Sequence, residues 1–259
     1  MSFVYPHKNS NIKGKVLIIP VVSTANVAQL AVDVFIASFS LRRVASIDPK
    51  YFIPVVGARE DGEPGITTPC ELFTNDNVNL AVIQQRSPVL KARKQEFVDS
   101  LFEYIKTSGA SAVLFLSGVD VSNRTDSQML TPTYQIQSGG TPLLASSPLR
   151  NLNSLPIPTY TTPIAQQPLA GDGKPPLIPF IPGGGLTRRI LSSLPQGWQI
   201  PTAAILQFVL EGDNRADAQL LAAVVAKVLD SDSAITEWKH PTGWQQGLFG
   251  TPQEQTLYG

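Results

Sequence analysis

The chain carries one cysteine, Cys70, among 259 residues. No internal disulfide framework and no multi-cysteine zinc or iron–sulfur site can be built from it. Histidine is nearly as scarce. His7 and His240 lie near opposite ends, poor material for a histidine-based active site, and neither a metal nor a cofactor is expected. Charge is thin as well: charged residues are 15% of the chain, and 20 basic cancel 20 acidic, where about 25% charged is average. A general nucleic-acid or anionic-membrane binder needs a large basic surplus, so neither nucleic acid nor membrane is an expected partner. No apolar run reaches the ~20 residues of a membrane span. The most apolar stretch, Val27 to Leu41, has Asp33 in its middle and stops at Arg42 and Arg43. The run Lys15 to Pro20 is of strand length, and no secretory leader is read near the start. A reducing compartment is expected, cytoplasmic and nuclear.

What is there alternates in period. Val16 to Val22 is a continuous apolar, β-branched run, the pattern of a strand covered on both faces. Asn26 stands where it can cap a helix, with Gln29 completing a capping box. That helix reads from Asn26 to Leu41, with Val27, Leu30, Ala31, Val34, Phe35 and Leu41 on one face. Ala28, Val32, Ile36 and Phe39 make a second apolar face. A helix apolar nearly all round is buried on two sides. Either its own domain covers both, or the face of Val32, Ile36 and Phe39 meets a partner subunit. Further strands read over Phe52 to Gly57, Val78 to Ile83, Ala112 to Leu116 and Thr202 to Leu210. Leu90 to Ser108 is an amphipathic helix closed by Gly109, and a last helix runs from Arg215 to Leu229. The alternation argues a single α/β domain, residues 1–238, with a mostly parallel central sheet flanked by helices.

Two segments break the pattern. Between Ser127 and Phe180 only Arg150, Asp172 and Lys174 are charged, and many of the 22 prolines crowd there. Proline denies helices their interior and sheets their centre. Ser147 to Pro176 therefore reads as a mobile, dispensable insertion, extended where ordered. After Trp238, residues 239–259 have no helical or strand period and read as a flexible tail.

Chemistry-bearing motifs are few. No nucleophile elbow and no phosphate loop ending in Gly-Lys-Ser/Thr is found. Pro182-Gly183-Gly184-Gly185-Leu186-Thr187 could offer backbone N–H groups to an anion, or simply form a tight lead-in to a helix over Leu186 to Leu194. Glu211, Asp213 and Asp217 gather at a strand-to-helix junction, where they could bind a cation; electrostatic capping by Asp213 and Asp217 is the plainer account. Asp120 and Asp126 follow a strand end, where open α/β sheets place ligand sites. Cys70 reads as a partly buried structural thiol. Arg86, Lys91, Arg93 and Lys94 form a small basic cluster, a solvated helix start or a patch for an acidic partner. The chain ends in Leu257-Tyr258-Gly259: hydrophobic, tyrosine, any residue, carboxylate.

Several segments together resemble the proteasome assembly chaperone 2 family, the heterodimeric α-ring assembly chaperones. They are Pro20 to Ser23, Asn26 to Asp33, Pro54 to Gly57, Ile181 to Thr187, and Leu206 to Asn214 with the helix that follows. The similarity spans residues 14–120 and 178–230; the Pro-rich insertion departs from it. The resemblance implies a non-catalytic, ATP-independent chaperone of nucleoside-phosphorylase-like fold. It implies a heterodimer with a proteasome assembly chaperone 1-like subunit, bound to the α-subunits of the 20S proteasome. The family's C-terminal hydrophobic–Tyr–any motif, which docks in a pocket between α-subunits, falls here on Leu257, Tyr258 and Gly259. The alternative is an α/β nucleoside-processing enzyme or hydrolase of the same fold, using the loop near Asp120 and the glycine cluster.

Overall fold

A computed structural model describes residues 2–7, 11–59, 64–138, 144–162 and 178–246. Its strands are β1 (Val4–Pro6), β2 (Val16–Pro20), β3 (Arg42–Ile47), β4 (Gly57–Ala58), β5 (Ile66–Thr67), β6 (Cys70–Thr74), β7 (Leu80–Gln85), β8 (Ala112–Asp120), β9 (Thr133–Gln137) and β10 (Thr202–Val209). Its helices are α1 (Val27–Ser38), α2 (Lys94–Ser108), α3 (Thr187–Ser192) and α4 (Arg215–Val228).

The apolar runs Val16 to Pro20, Ala112 to Leu116 and Thr202 to Val209 become neighbours at the centre of one eight-stranded sheet, ordered β1-β3-β6-β7-β2-β8-β10-β9. Strands β7, β2, β8 and β10 run parallel. The flanks, β1-β3-β6-β7 on one side and β10-β9 on the other, are antiparallel. The α/β class with a mostly parallel centre is as expected, and the flanks make the sheet mixed. Val16 pairs with Ala112 and Pro20 with Leu116, so side chains alternate between two cores with a period of two. Leu17, Ile19, Val113 and Phe115 face the core under α2, with Phe97, Leu101 and Phe102. Val16, Ile18, Leu114 and Leu116 face the core under α1 and α4, with Val34, Phe35, Leu221 and Val225. No helix among the described residues is long and apolar enough to cross a membrane.

Several expectations are corrected. Asn26 does not cap α1 through its side chain; it sits in the left-handed region at φ 52°, after Ala25 at φ 58°. Phe52 to Gly57 is not a strand, because Pro54 has no N–H to donate. Phe52 keeps one bridge to Val89, and only Gly57–Ala58 pairs, with β5, in a separate two-stranded ribbon. Strands β1, β3, β5, β6 and β9 are additional to the expected ones. Strand β3 begins with two arginines, and β6 carries Glu71; the buried ion pair Arg43–Glu71, at 2.7 Å, lets both charges sit in strands. Gly109 does close α2, in the left-handed conformation at φ 73°.

The proline-rich stretch packs where it is described. Leu149 and Leu152 are fully buried, with Ile157 and Tyr160 close behind. Leu149 and Leu152 share the core of α4, and the Asn151 side-chain amide donates to Lys227 O at 3.1 Å. The Gln135 amide on β9 donates to Leu152 O (2.9 Å) and Ile157 O (2.6 Å). A side chain thus satisfies carbonyls that no ladder reaches. The Tyr160 hydroxyl donates to Phe180 O at 3.2 Å, and burial pushes its pKa up to about 12. The remainder of the expected insertion, 163–176, lies outside the described residues. The first part of the expected tail, residues 239–246, is packed, and 247–259 lies outside the described residues. Pro241 is buried, Trp238 meets the Phe35 ring edge-on, and Lys239 N donates to Ser38 Oγ at 2.9 Å. Residues 238–246 thus form a strap across α1 and α4.

Leu149→Ala should cost about 2–5 kcal/mol, the range for truncating a buried leucine, read from urea denaturation. A loss under about 1 kcal/mol would return the segment to the status of a dispensable loop. Cys70 is fully buried, not partly, and burial pushes its thiol pKa well above the ordinary value. A thiol reagent at pH 8 should modify it only at the rate of opening and rapidly in denaturant; fast labelling of the native chain would place it at a solvent-accessible position.

Candidate functional site

In open α/β sheets, ligands settle beyond the carboxyl ends of the strands, where the connections from two neighbouring strands diverge. Here that point lies between β2 and β8: the chain leaves β2 toward β3 and leaves β8 toward β9 and β10. The crevice is filled by the chain itself. Ser23 and Thr24, leaving β2, cross it, and the Ile181-to-Gly185 loop lies against them. Gly118 N donates to Ser23 Oγ at 2.8 Å. Thr24 N donates to Gly183 O at 2.9 Å, and Asp120 N to Pro182 O at 3.0 Å. The Ser117 hydroxyl donates to Gly184 O at 3.2 Å.

The glycines are needed for this closeness. A Cβ on Gly118 would collide with the Thr24 carbonyl, on Gly183 with the Thr24 hydroxyl, and on Gly185 with the Val22 carbonyl. Gly183 and Gly185 are also left-handed, at φ 68° and 58°, where a side chain is strained. Two of the three glycine carbonyls are thus acceptors for the strand ends. The helix behind them, α3, has six residues instead of the expected Leu186 to Leu194. Gly184 N donates to Ile181 O and Thr187 N to Gly184 O, each at 3.1 Å, so the loop forms the tight lead-in to α3.

The acidic candidates are absorbed in the same way. Glu211 Oε1 accepts from Ala25 N at 2.9 Å, holding the left-handed Ala25–Asn26 pair. Asp213 stands one residue before the N-cap position, which Asn214 takes, and its Oδ1 accepts from Arg215 N, the first N–H of α4, at 3.2 Å. Its carboxylate holds the Arg215 guanidinium, with Nε at 2.8 Å from Oδ1, and that hydrogen bond keeps its pKa below the usual carboxylate range. Asp217 lies in the first turn of α4, as the dipole favours. Asp120 accepts from the Ser122 hydroxyl and N–H at 2.6 and 2.8 Å, which lowers its pKa. Asp126 is exposed in the turn after Thr125. Among the described residues no group of three His, Cys, Asp or Glu side chains converges as a metal site requires.

Open concavities lie elsewhere, one of them beside α1. A groove of ≈ 580 Å³ lies between the outer edge of α1, strands β3 and β6, the β4–β5 ribbon and the strap. Its walls include Ile36, Leu41, Phe73, Val55 and Val56. Val56 is 70% exposed and Ile66, on β5, is 56% exposed. Four arginines, Arg42, Arg43, Arg59 and Arg86, share the lining with two carboxylates, Asp33 and Glu71. Arg86 pairs with Asp33 at 3.1 Å and so stands apart from Lys91, Arg93 and Lys94, with Arg93 bound to Glu96. The basic cluster read from the sequence is thereby split. A strand over Phe52 to Gly57 would hide this groove; Val55 and Val56 line it instead, and Pro54, with no N–H, is the local signal against the strand.

Of the partner-face candidates, Val32 has no exposed surface and Phe39 is 8% exposed, stacked on Phe35. Helix α1 is covered by the sheet and by α4, so its own domain buries both faces. Ile36 alone of the three is half-exposed, at the groove. Leu257, Tyr258 and Gly259 lie outside the described residues.

Residues 17–167 match a family described as the PAC2 family. The chain is similar to proteasome assembly chaperone 2 of Xenopus laevis, 29% identical over 243 residues that cover 91% of each chain. It is 26% identical to human proteasome assembly chaperone 2 over 261 residues, 96% of each. Among solved structures, Pyrococcus furiosus PbaA, an archaeal homolog of proteasome-assembly chaperone, superposes with a TM-score of 0.63 at 14% identity, covering 90% of this chain and 84% of that one. Pyrococcus furiosus PbaB, an archaeal proteasome activator, gives 0.58 at 14% identity, covering 90% and 91%. At these identities the two structures establish the shared fold.

Gly185→Ala should lose on the order of 1–3 kcal/mol from backbone strain alone, beyond any cost of the collision. Gly57→Ala, where an added Cβ meets nothing, is the control. Equal urea midpoints for both would mean that the loop can leave the crevice freely.

Proposed function

The chain belongs to the PAC2 family, and from that premise we propose that it is a non-catalytic, ATP-independent chaperone of 20S proteasome assembly. It would act in the cytoplasm and nucleus, paired with a proteasome assembly chaperone 1-like subunit and seated on the α-ring. The observation that carries the non-catalytic reading is the crevice between β2 and β8. The place where this kind of sheet holds a substrate is occupied by Ser23, Thr24 and the glycine loop. A nucleoside-processing enzyme of the same fold would need that space, and its suggested residues, Asp120 and Gly183 to Gly185, are committed to closing it. The similarity to proteins named proteasome assembly chaperone 2 extends over nine-tenths of the chain, which supports the same role for the whole length.

The ring contact is proposed to run through Leu257, Tyr258 and Gly259, docked in a pocket between neighbouring α-subunits. A terminal carboxylate has an intrinsic pKa of about 3.5 and is ionised at neutral pH. Against a cationic side chain in a partly dry pocket it contributes about 1.5–3 kcal/mol. Tyr258 would bury its ring and place its hydroxyl on a polar partner, and Leu257 adds about 1.5–3 kcal/mol if fully buried. Ordering the peptide opposes these gains, so the net is a few kcal/mol.

Deleting Leu257 to Gly259, changing Tyr258→Ala, or extending the chain beyond Gly259 should each weaken α-ring binding about ten- to a hundredfold, the equivalent of about 1.4–2.8 kcal/mol. The measurement is equilibrium binding of the heterodimer to immobilised α-rings, with the partner's own terminus blocked. Unchanged affinity in all three variants would leave the folded body as the sole anchor.

A further inference from the structure

The carboxyl end of the central sheet carries an apolar patch that the role described above does not use. We propose that Met129, Leu130 and Leu210 form the contact through which this chain pairs with its proteasome assembly chaperone 1-like subunit. The proposal rests on the heterodimer reading and gives it a surface.

Leu130 is 90% exposed, Leu210 64% and Met129 63%. A single exposed leucine is ordinary on a protein surface, but a group of large apolar side chains marks a contact. The pairing of β9 with β10 brings these three to one place. Thr133 pairs with Gln207, and Phe208 N donates to Pro132 O at 2.8 Å. The chain entering β9 therefore runs beside the chain leaving β10, with Met129 and Leu130 on the one and Leu210 on the other.

The turn that presents Met129 and Leu130 is firmly held. It spans Asp126–Leu130, and Thr125 and Gln128 form a capping box at its start, with Thr125 N donating to Gln128 Oε1 at 3.1 Å. The Gln128 amide donates to Thr161 O at 2.9 Å. The Arg124 guanidinium donates to the carbonyls of Gln128 and Thr131, which bracket the two apolar residues. It also lies over the Phe208 ring, 5.1 Å from its centre. A turn pinned at so many points loses little freedom when a partner covers it. The hydrophobic gain of its side chains is realised only when a second surface removes them from water.

Charge selects the partner. Asp126 and Glu211 are exposed, and Asp120 ends β8 opposite Val209, the neighbour of Leu210. Arg124 is turned onto carbonyls, and Arg215 is held by Asp213. The patch is thus an apolar centre with an acidic rim. Two copies of this chain would set carboxylates against carboxylates, and like-charge juxtaposition is costly. The matching surface is an apolar pocket edged by lysine or arginine on a different protein. Of the two proteins that the proposed role supplies, the apolar centre favours the lasting partner. Permanent interfaces are the more hydrophobic class, and a chaperone lets go of the ring it builds while its partner subunit stays.

The test uses the full-length chain with the proteasome assembly chaperone 1-like subunit. Leu130→Ser and Leu210→Ser change exposed positions and should leave the urea midpoint unchanged. Each should weaken pairing about tenfold, and the double variant about a hundredfold, by equilibrium titration. Val56→Ser, exposed at the groove, is the control and should leave pairing unchanged. Asp126→Lys should lower the association rate, most of all at low salt. With p-benzoylphenylalanine at position 130, irradiation should give adducts with the partner subunit, and these decide the matter if the serine variants shift the urea midpoint. Adducts with an α-subunit or with a second copy, or pairing indifferent to the double variant, would overturn the proposal. The heterodimer reading fails differently: the natural chain then forms no complex with that subunit, and the proposal falls with it. A complex that survives the double variant keeps that reading and removes only this surface.

Discussion

Everything at the top of the central sheet depends on one close approach, that of the Gly185 and Gly118 backbones to the loop leaving β2. A Cβ at either position would meet the Val22 or Thr24 carbonyl, so the chain can close the crevice only where side chains are missing. Closure then fixes the rest. Thr24 is held against Gly183, which forces the chain through two left-handed residues, Ala25 and Asn26, before α1 can start. Glu211, at the far end of β10, supplies the carboxylate that accepts from Ala25 N. Three loops distant in sequence are thereby locked into one layer. A scaffold whose usual ligand crevice is built shut offers surface at the periphery, at the groove and the exposed ribbon.

The centre of the fold was legible because parallel strands buried on both faces leave a signal that survives without context. Val16 to Pro20, Ala112 to Leu116 and Thr202 to Val209 are continuous apolar runs, and helix α2 shows its stripe and its terminal glycine. The flanks were illegible for the opposite reason. Strand β3 opens with Arg42 and Arg43, and β6 contains Glu71; their place in a sheet depends on a pair formed across 28 positions of sequence, which local pattern cannot display. Asn26 misled through chemistry that was sound locally: its side chain suits an N-cap, but the tertiary demand at Thr24 and Ala25 sets its backbone instead.

The proline-rich stretch shows where composition stops being informative. Prolines and few charges correctly exclude regular structure in residues 144–162, which make only short turns. They do not exclude packing. Leu149 and Leu152 bury as completely as any strand residue, and Gln135 supplies the donors that a neighbouring strand would have given. Burial of leucine is a matter of apolar area removed from water, and that term is indifferent to whether the backbone is regular. The strap makes the same point with Trp238 and Pro241, in a segment whose sequence has no period.

Site residues were legible in proportion to how local their chemistry is. Leu257-Tyr258-Gly259 is contiguous, so it can be proposed from the sequence alone, and it lies outside the described residues. The groove cannot, since Ile36, Arg42, Val56 and Pro241 come from four separate elements. The strap shows the same dependence on distance. Lys239 N reaches Ser38 Oγ across 201 positions of sequence, so no local pattern announces the wall that His240 and Pro241 add to the groove.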